Sequence, residues 1–432
     1  MWIYIKNELM IRFLQISDLH FLCCNDSDDE YSQLRVRFEE DLRCLKEKVG
    51  AIPYLLICGD IANKGQKTEF EAAMNYINEL CDILNVDGQK PNVFVVPGNH
   101  DIDRTPYKHT RDHLRSKLLS FKDGQNDYFM QEIRKFEPDT LKILYLPLQA
   151  YTKFADDYSS NDELTEDLNL KKNFSELKDK NLYWKRPIGK IENYTINIIG
   201  LNSTLACDGK EREKNDTSKG EHSLFLPFMS YNVVTRNNEV NISMIHHPLN
   251  WLGNEEKVQK IFDDRFKIQF YGHMHKQSSR SDTAIKIYSG ALQPPSGEDD
   301  YPPVYNYIEV DIKDSRLLVT INSRKWDGSK FVKYDDECKS YSLSLVKENL
   351  WNTEDKEDAQ KVLPIESTPI PTHEIIQLFR IQTPVVKKNI IKEMLPEISD
   401  SQIASHLLEL NFLSTIRATN RFTELYNKLI KK

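Results

Sequence analysis

At 432 residues, with 39% hydrophobic, 29% charged and 10% aromatic residues, the chain has the makeup of a folded globular protein, which argues against global disorder and leaves room for a full-sized core plus a smaller second domain. Its net charge of -8 gives no overall attraction to nucleic acid, although a local basic groove stays open. Seven cysteines, an odd number with Cys23 and Cys24 adjacent, suit neither a disulfide framework nor a C-x-x-C metal site. No apolar run reaches the roughly 18 residues of a membrane span, and Met1 to Met10 lack the apolar core and cleavage site of a signal peptide, so a cytoplasmic location without membrane contact is expected.

In chain order, Phe13 to Ile16, Tyr54 to Ile57 and Val93 to Val96 read as buried strands, with helical spacing of apolar positions over Gln33 to Val49 and Lys67 to Leu84. Strand, helix, strand, helix, strand is the pattern of a mostly parallel sheet. Residues 103–190 turn polar and charge-rich, with helical stretches at Thr110 to Phe121 and Thr140 to Ser159. They are expected to form a helical insertion over the sheet rim, a lid or substrate-selecting cap. Alternation returns at Tyr194 to Leu201 and passes through Ile242 to Ile245 and Ile268 to Tyr271, with a loop over Asp208 to His222. From Ala284 to Leu345, short alternating segments between turn residues predict antiparallel strands. The expected fold is α/β: two packed sheets with helices outside, over residues 11–345.

Residues 346–372 are acidic, then rich in Pro and Thr, and read as a linker. Beyond it, Thr372, Ser399 and Ser414 are candidate N-caps, and Thr383 precedes a proline at a first helical position. About four short helices would make a small all-α module over 373–432.

The chemistry concentrates just past the strand ends, in Asp18-Leu19-His20, Gly59-Asp60, Gly98-Asn99-His100-Asp101, His246-His247-Pro248 and Gly272-His273-Met274-His275. Polar groups at the carboxyl ends of neighbouring strands converge on one rim, where open α/β proteins keep their sites. Asp18 and His20, two apart on an extended segment, would point to one side. Asp60 offers two oxygens, Asn99 a neutral amide oxygen, and His246, His273 and His275 nitrogens. This mixed N/O set suits Mn, Fe, Zn, Co or Ni, with manganese foremost, rather than Ca or a thiolate zinc site. Two such ions would clamp a phosphoryl group and acidify a bridging water, which implies hydrolysis at phosphorus.

The order D-x-H, G-D, G-N-H-D, H-x-P, G-H-x-H resembles the calcineurin-like metallophosphoesterases, and the resemblance covers roughly residues 11–345. It implies the two-sheet αββα sandwich of that family, and two metal ions. One would be held by Asp18, His20, Asp60 and His275, the other by Asp60, Asn99, His246 and His273. It implies that His100 is no ligand but contacts substrate and the leaving oxygen, with Asp101 orienting its ring. His247 is an ambiguous neighbour of the ligand His246.

Each motif alone has an ordinary reading as a turn or helix entry; the constellation outweighs it. Arg104 reads equally as a cation near phosphate or a surface ion pair, and Asn202-Ser203 as a turn or as support for the site. Lys171-Lys172, Lys185-Arg186, Lys210 to Lys214 and Arg324-Lys325 are solvated faces or a nucleic-acid path. In the C-terminal module, Ser401 to Ile416 has some of the spacing of a helix-turn-helix and Arg417, Arg421 and Lys428 are basic, but the tight Gly turn is missing. A protein-interaction role is favoured over a merely stabilising appendage and over nucleic-acid contact; the module also loosely resembles helical adaptors that tether effector enzymes. The expected function is a phosphodiesterase acting on a nucleotide or cyclic nucleotide through a metal-bridging hydroxide. The alternatives are a DNA or RNA nuclease effector recruited through the C-terminal helices, and a protein or small-molecule phosphomonoesterase.

Overall fold

The computed structural model describes residues 10–346, apart from 23–30, 107, 111, 114–144, 159–182, 206, 210, 212–223, 234, 237, 254 and 296–300, and beyond them residues 379, 384–394, 416, 421–422, 424–425 and 428. The chain divides into two compact units, Met1–Glu348 and Asn349–Lys432.

The first unit is built on β1 (Ile11–Ile16), β2 (Tyr54–Ile57) and β3 (Asn92–Val95), which pair in parallel. Tyr54 to Ile57 is buried at every position, as expected of a parallel strand covered on both faces. The covers are α1 (Ser32–Val49), which turns Leu34, Phe38 and Leu42 inward, and α2 (Lys67–Leu84), whose capping box pairs Gln66 with Glu69. On the other side of β1, β10 (Val304–Lys313), β11 (Arg316–Trp326) and β12 (Phe331–Lys333) continue the sheet antiparallel, and β13 (Lys339–Ser344) also pairs β11.

The second sheet runs β4-β5-β6-β7-β9-β8. Its members are β4 (Tyr183–Ile191), β5 (Tyr194–Leu201), β6 (Glu239–Ile245), β7 (Ile268–Tyr271), β8 (Ser278–Ser281) and β9 (Ile285–Tyr288). Strands β5, β6, β7 and β9 are parallel, and β4 and β8 close the edges antiparallel. Phe13, Leu56, Phe94 and Val310 of one sheet and Ile198, Ile242, Met244 and Phe270 of the other share one buried cluster between the sheets. Each such side chain contributes roughly 1.5–3 kcal/mol by leaving water. The helices cover the outer faces, which gives the two-sheet αββα sandwich.

One boundary differs from the expectation. Residues 183–190, read as the end of the helical insertion, form β4: Trp184 stacks on Phe94 with ring centroids 5.4 Å apart, and its Nε1 donates to the Val95 carbonyl. Its aromatic and charged residues look polar in sequence, but an edge strand needs only one covered face. Helix α3 (Gln149–Ala155), also read as cap, buries Tyr151 and Phe154 against Phe70 of α2 and so belongs to the core. The rest of the expected cap, most of the loop 208–222, the linker and the segment 401–415 lie outside the described residues. No helix among the described residues is long and apolar enough to cross a membrane.

In the second unit, a helix over Pro384–Met394 begins at the proline expected to open it. Phe379, Ile390, Ile391, Met394, Ile416, Phe422 and Leu425 are buried. Arg421 pairs with Glu424 and donates to the Met394 carbonyl, and Lys428 pairs with Glu393.

Candidate metal centre

The carboxyl ends of β1, β2, β3, β6 and β7 deliver all seven expected ligands to one rim. Asp18, Asp60, Asn99 and His246 are buried. Three trios, Asp18 with His20 and His275, Asp18 with Asp60 and His246, and His246 with His247 and His273, each hold their donor atoms within 4.8 Å of one another. A fourth joins His20, Asp60 and His100.

The local backbone is not extended, as the Asp18–His20 spacing had suggested. Asp18, His20, Asp60, His273 and His275 all have positive φ, between 46° and 70°. Asp and His enter this left-handed region more readily than bulkier residues, and strain of this kind gathers at functional sites. The pairs therefore converge because sharp left-handed turns end the strands, not because side chains alternate along them. Backbone hydrogen bonds fix these turns: the amides of Asp18, Leu19 and His20 donate to the carbonyls of Gly59 and Asp60. Gly59, at φ +93°, is required where it stands, since a Cβ there would lie 2.5 Å from Nδ1 of His246.

The imidazoles are set by backbone carbonyls. Nδ1 of His246 lies 2.7 Å from the Cys58 carbonyl, a pure acceptor, so Nδ1 carries the proton. Nε2 then faces Asp60 Oδ2 at 3.2 Å and Asn99 Oδ1 at 3.2 Å. Three electron-rich atoms facing one another require a cation or an extra proton. Burial disfavours a charged His246, yet the Asp60 carboxylate, by charge and hydrogen bond, outweighs it and raises the ring to about 9. Burial likewise opposes ionisation of Asp60, but His246 holds its carboxyl well below the usual range. Burial and the His246 ring push His273 down to about 3. His20 supplies the clearest sign of a missing partner: both of its ring nitrogens are shielded from solvent without a hydrogen bond. Across the site, Nε2 of His275 lies 3.3 Å from Asp18 Oδ1. The donor set, N and O with both kinds of lone pair pointing inward, fits divalent transition ions.

His100 stands beside this cluster, its ring centroid 4.8 Å from that of His20. Its Nδ1 lies 2.8 Å from the Asn63 carbonyl and its amide donates to Asp60 Oδ1 at 2.7 Å. Here an expectation is corrected. Asp101 does not orient the His100 ring; its carboxylate accepts the amides of Ile61, Ala62 and Gly98 at 2.7–2.8 Å. It is fully buried and ties the β2 loop to the β3 loop, while burial and Asp60 push its carboxyl up to about 8. The orienting group for His100 is a backbone carbonyl. His247, left ambiguous by its sequence, is fully buried against Ser203 and Asn99; the second His of H-H-P and the strand-end Ser203 were its only sequence signals. Arg104 donates to the Asn99 carbonyl at 2.8 Å, which makes it a brace for the ligand loop.

Fold and site together define a two-sheet α/β sandwich with a histidine and carboxylate centre on its rim. The family model for calcineurin-like phosphoesterases matches residues 11–277, and the chain belongs to that family. A relative in Bacillus subtilis (strain 168), described as the uncharacterized metallophosphoesterase-like protein YydB, is 27% identical over 325 residues, 72% of this chain and 59% of that protein. The chain thus spans under two thirds of that relative's length. Similar solved structures include the calcineurin-like phosphoesterase YfkN from Bacillus subtilis, at 11% identity and TM-score 0.34 over 78% of this chain and 91% of that one. Vacuolar Protein Sorting 29 from Cryptosporidium parvum matches at 14% identity and TM-score 0.31, over 78% of this chain and all of that one. The family assignment does not depend on these distant likenesses.

Proposed function

We propose that the chain is a metal-dependent phosphoesterase, acting as a phosphodiesterase on a nucleotide or cyclic nucleotide. The observation that carries the reading is the rim itself: a half-buried His20 whose two solvent-shielded ring nitrogens have no hydrogen bond, and a His246 Nε2 facing two oxygen acceptors. Asp18, His20, Asp60 and His275 would hold one ion, and Asp60, Asn99, His246 and His273 a second, with manganese the foremost candidate. Bound there, such ions supply Lewis-acid polarisation of a phosphoryl oxygen and a water made acidic enough to attack at neutral pH.

The chain's own residues do the rest. With Nδ1–H on the Asn63 carbonyl, His100 presents Nε2 beside the cluster. In its protonated form it hands the Nε2 proton to the departing oxygen. The Asp60 carboxylate, held by the His100 amide, keeps ligand and proton donor in fixed relation. Asp101 locks the two loops so that neither drifts when substrate enters.

A small substrate is favoured over nucleic acid because described members of the basic clusters are engaged. Arg324 is in a bidentate pair with Asp41, Lys185 reaches Glu239 at 3.5 Å, and Lys325 lies over the Tyr334 ring. The C-terminal module is read as a protein-interaction element, since Arg421 and Lys428 are paired within it; a cytoplasmic setting completes the reading. The test is a manganese-supplemented panel of bis-p-nitrophenyl phosphate, p-nitrophenyl phosphate, cyclic nucleotides, plasmid, single-stranded DNA and RNA. Turnover of the diester and of a cyclic nucleotide is expected. Cleavage confined to DNA or RNA would make the chain a nuclease, and turnover of the monoester alone would make it a phosphomonoesterase.

A further inference from the structure

Next to the expected ligand His246 lies a second imidazole, that of His247, fully buried and fully engaged. Three contacts define it. Its backbone N–H reaches Ser203 Oγ at 3.4 Å, its Nδ1 lies 2.8 Å from the same Oγ, and its Nε2 lies 3.1 Å from Asn99 Oδ1. The tautomer follows from Asn99 Oδ1, which can only accept, so the Nε2 facing it carries the proton. In the neutral ring Nδ1 is then bare and accepts the hydroxyl proton of Ser203, whose oxygen is also within reach of the backbone amide. Nε2–H donates to Asn99 Oδ1, the atom expected to face the ion.

The neighbouring ring makes the opposite choice. His246 carries its proton on Nδ1, against the Cys58 carbonyl, and with an ion bound would offer it Nε2, which faces the same Asn99 oxygen. Two adjacent histidines are thus held in opposite tautomers by one backbone carbonyl and one serine. One offers a lone pair to the centre, and the other offers a proton to a ligand of the centre. The location is deliberate in the fold: Ser203 follows β5 and His247 follows β6, neighbouring parallel strands whose ends lie side by side.

We infer that His247 is a positioning residue for metal binding, which fixes the amide of Asn99 by a hydrogen bond from Nε2–H, its tautomer being set by Ser203. The inference rests on the proposed metal centre. Its chemical sense is that of an outer hydrogen-bond partner: it stops the Asn99 amide from flipping its NH2 towards the ion, and it withholds His247 itself from ligation.

The test is zinc and manganese binding by the full chain, read by titration calorimetry and by ion content after chelation. Wild type is expected to bind two ions. His247→Phe, which keeps a ring but no donor, should weaken one of the two sites by about ten- to hundredfold and leave the other unchanged. His247→Gln, whose side-chain amide can still donate, should recover most of that loss, and Ser203→Ala should fall between. In the zinc-loaded wild type, 15N chemical shifts of His247 should report the Nε2–H tautomer, a readout that a mere packing role would not fix. Unchanged affinities in His247→Phe would overturn the inference while leaving the metal centre standing. A metal-bound His247 nitrogen in the 15N spectrum would overturn it in favour of direct ligation. A wild-type chain that binds no ion would instead remove the proposed function on which the inference stands.

Discussion

Gly98 lies directly against Asp60: a Cβ on Gly98 would sit 2.2 Å from Asp60 Oδ1 and 2.4 Å from its backbone nitrogen. The backbone of one motif is thus the wall that fixes the carboxylate of another. Gly98→Ala should push Asp60 off its position, costing about 1–3 kcal/mol of stability and at least one bound ion. Urea unfolding and ion content measure the two effects; a variant with wild-type ion content would show that the contact can relax without moving Asp60.

Asp60 faces donors of both proposed ion sites. Asp60→Ala should therefore lose at least one ion and reduce turnover to background. A variant keeping two ions and full rate would end the assignment of Asp60 as the shared ligand.

His100 tests the division between ligands and proton donor. Its Nδ1 is spent on the Asn63 carbonyl, so His100→Ala should keep both ions and slow hydrolysis by about 10²–10⁴-fold. The loss should be smaller for substrates whose leaving group needs no proton, such as p-nitrophenolate esters. Loss of an ion in this variant would make His100 a ligand instead.

Thiol chemistry checks the burial pattern. Cys44 is exposed, whereas burial pushes Cys58 up to about 12 and Cys81 up to about 11. The thiolate is the reactive form. At pH 8 an alkylating reagent should therefore label Cys44 well before Cys58 or Cys81, as peptide mapping would show; raising the pH towards 11 should narrow the gap with Cys81 only as far as access allows. Equal labelling of Cys44 and Cys81 in the folded chain would contradict the packing of α2.

The strands and helices that carry the site were legible in sequence because they are periodic. Tyr54 to Ile57 and Ile268 to Tyr271 coincide with β2 and β7, and Lys67 to Leu84 with α2. The cluster of motifs at strand ends was equally legible, since each polar pair follows an apolar run. What could not be read was governed by backbone. Asp18 and His20 converge through left-handed φ values, which no side-chain spacing encodes. The partner of the His100 ring is the Asn63 carbonyl, and a carbonyl exists at every residue, so it leaves no sequence trace. Asp101 was assigned as that partner through the family resemblance of the G-N-H-D element, yet the turn directs it to three amides of two loops. Residues 183–190 were read as helical insertion because an edge strand half covered by Trp184 and Ile188 carries charges between them.

The central claim, metal-dependent phosphoester hydrolysis at this rim, is tested most directly by following bis-p-nitrophenyl phosphate hydrolysis by the full chain as manganese is removed by chelation and then restored. The account predicts two ions per chain at saturation, no turnover once they are removed, and recovery that tracks re-occupation of the site. Undiminished hydrolysis by the ion-free chain, or no hydrolysis of any phosphoester with two ions bound, would contradict it.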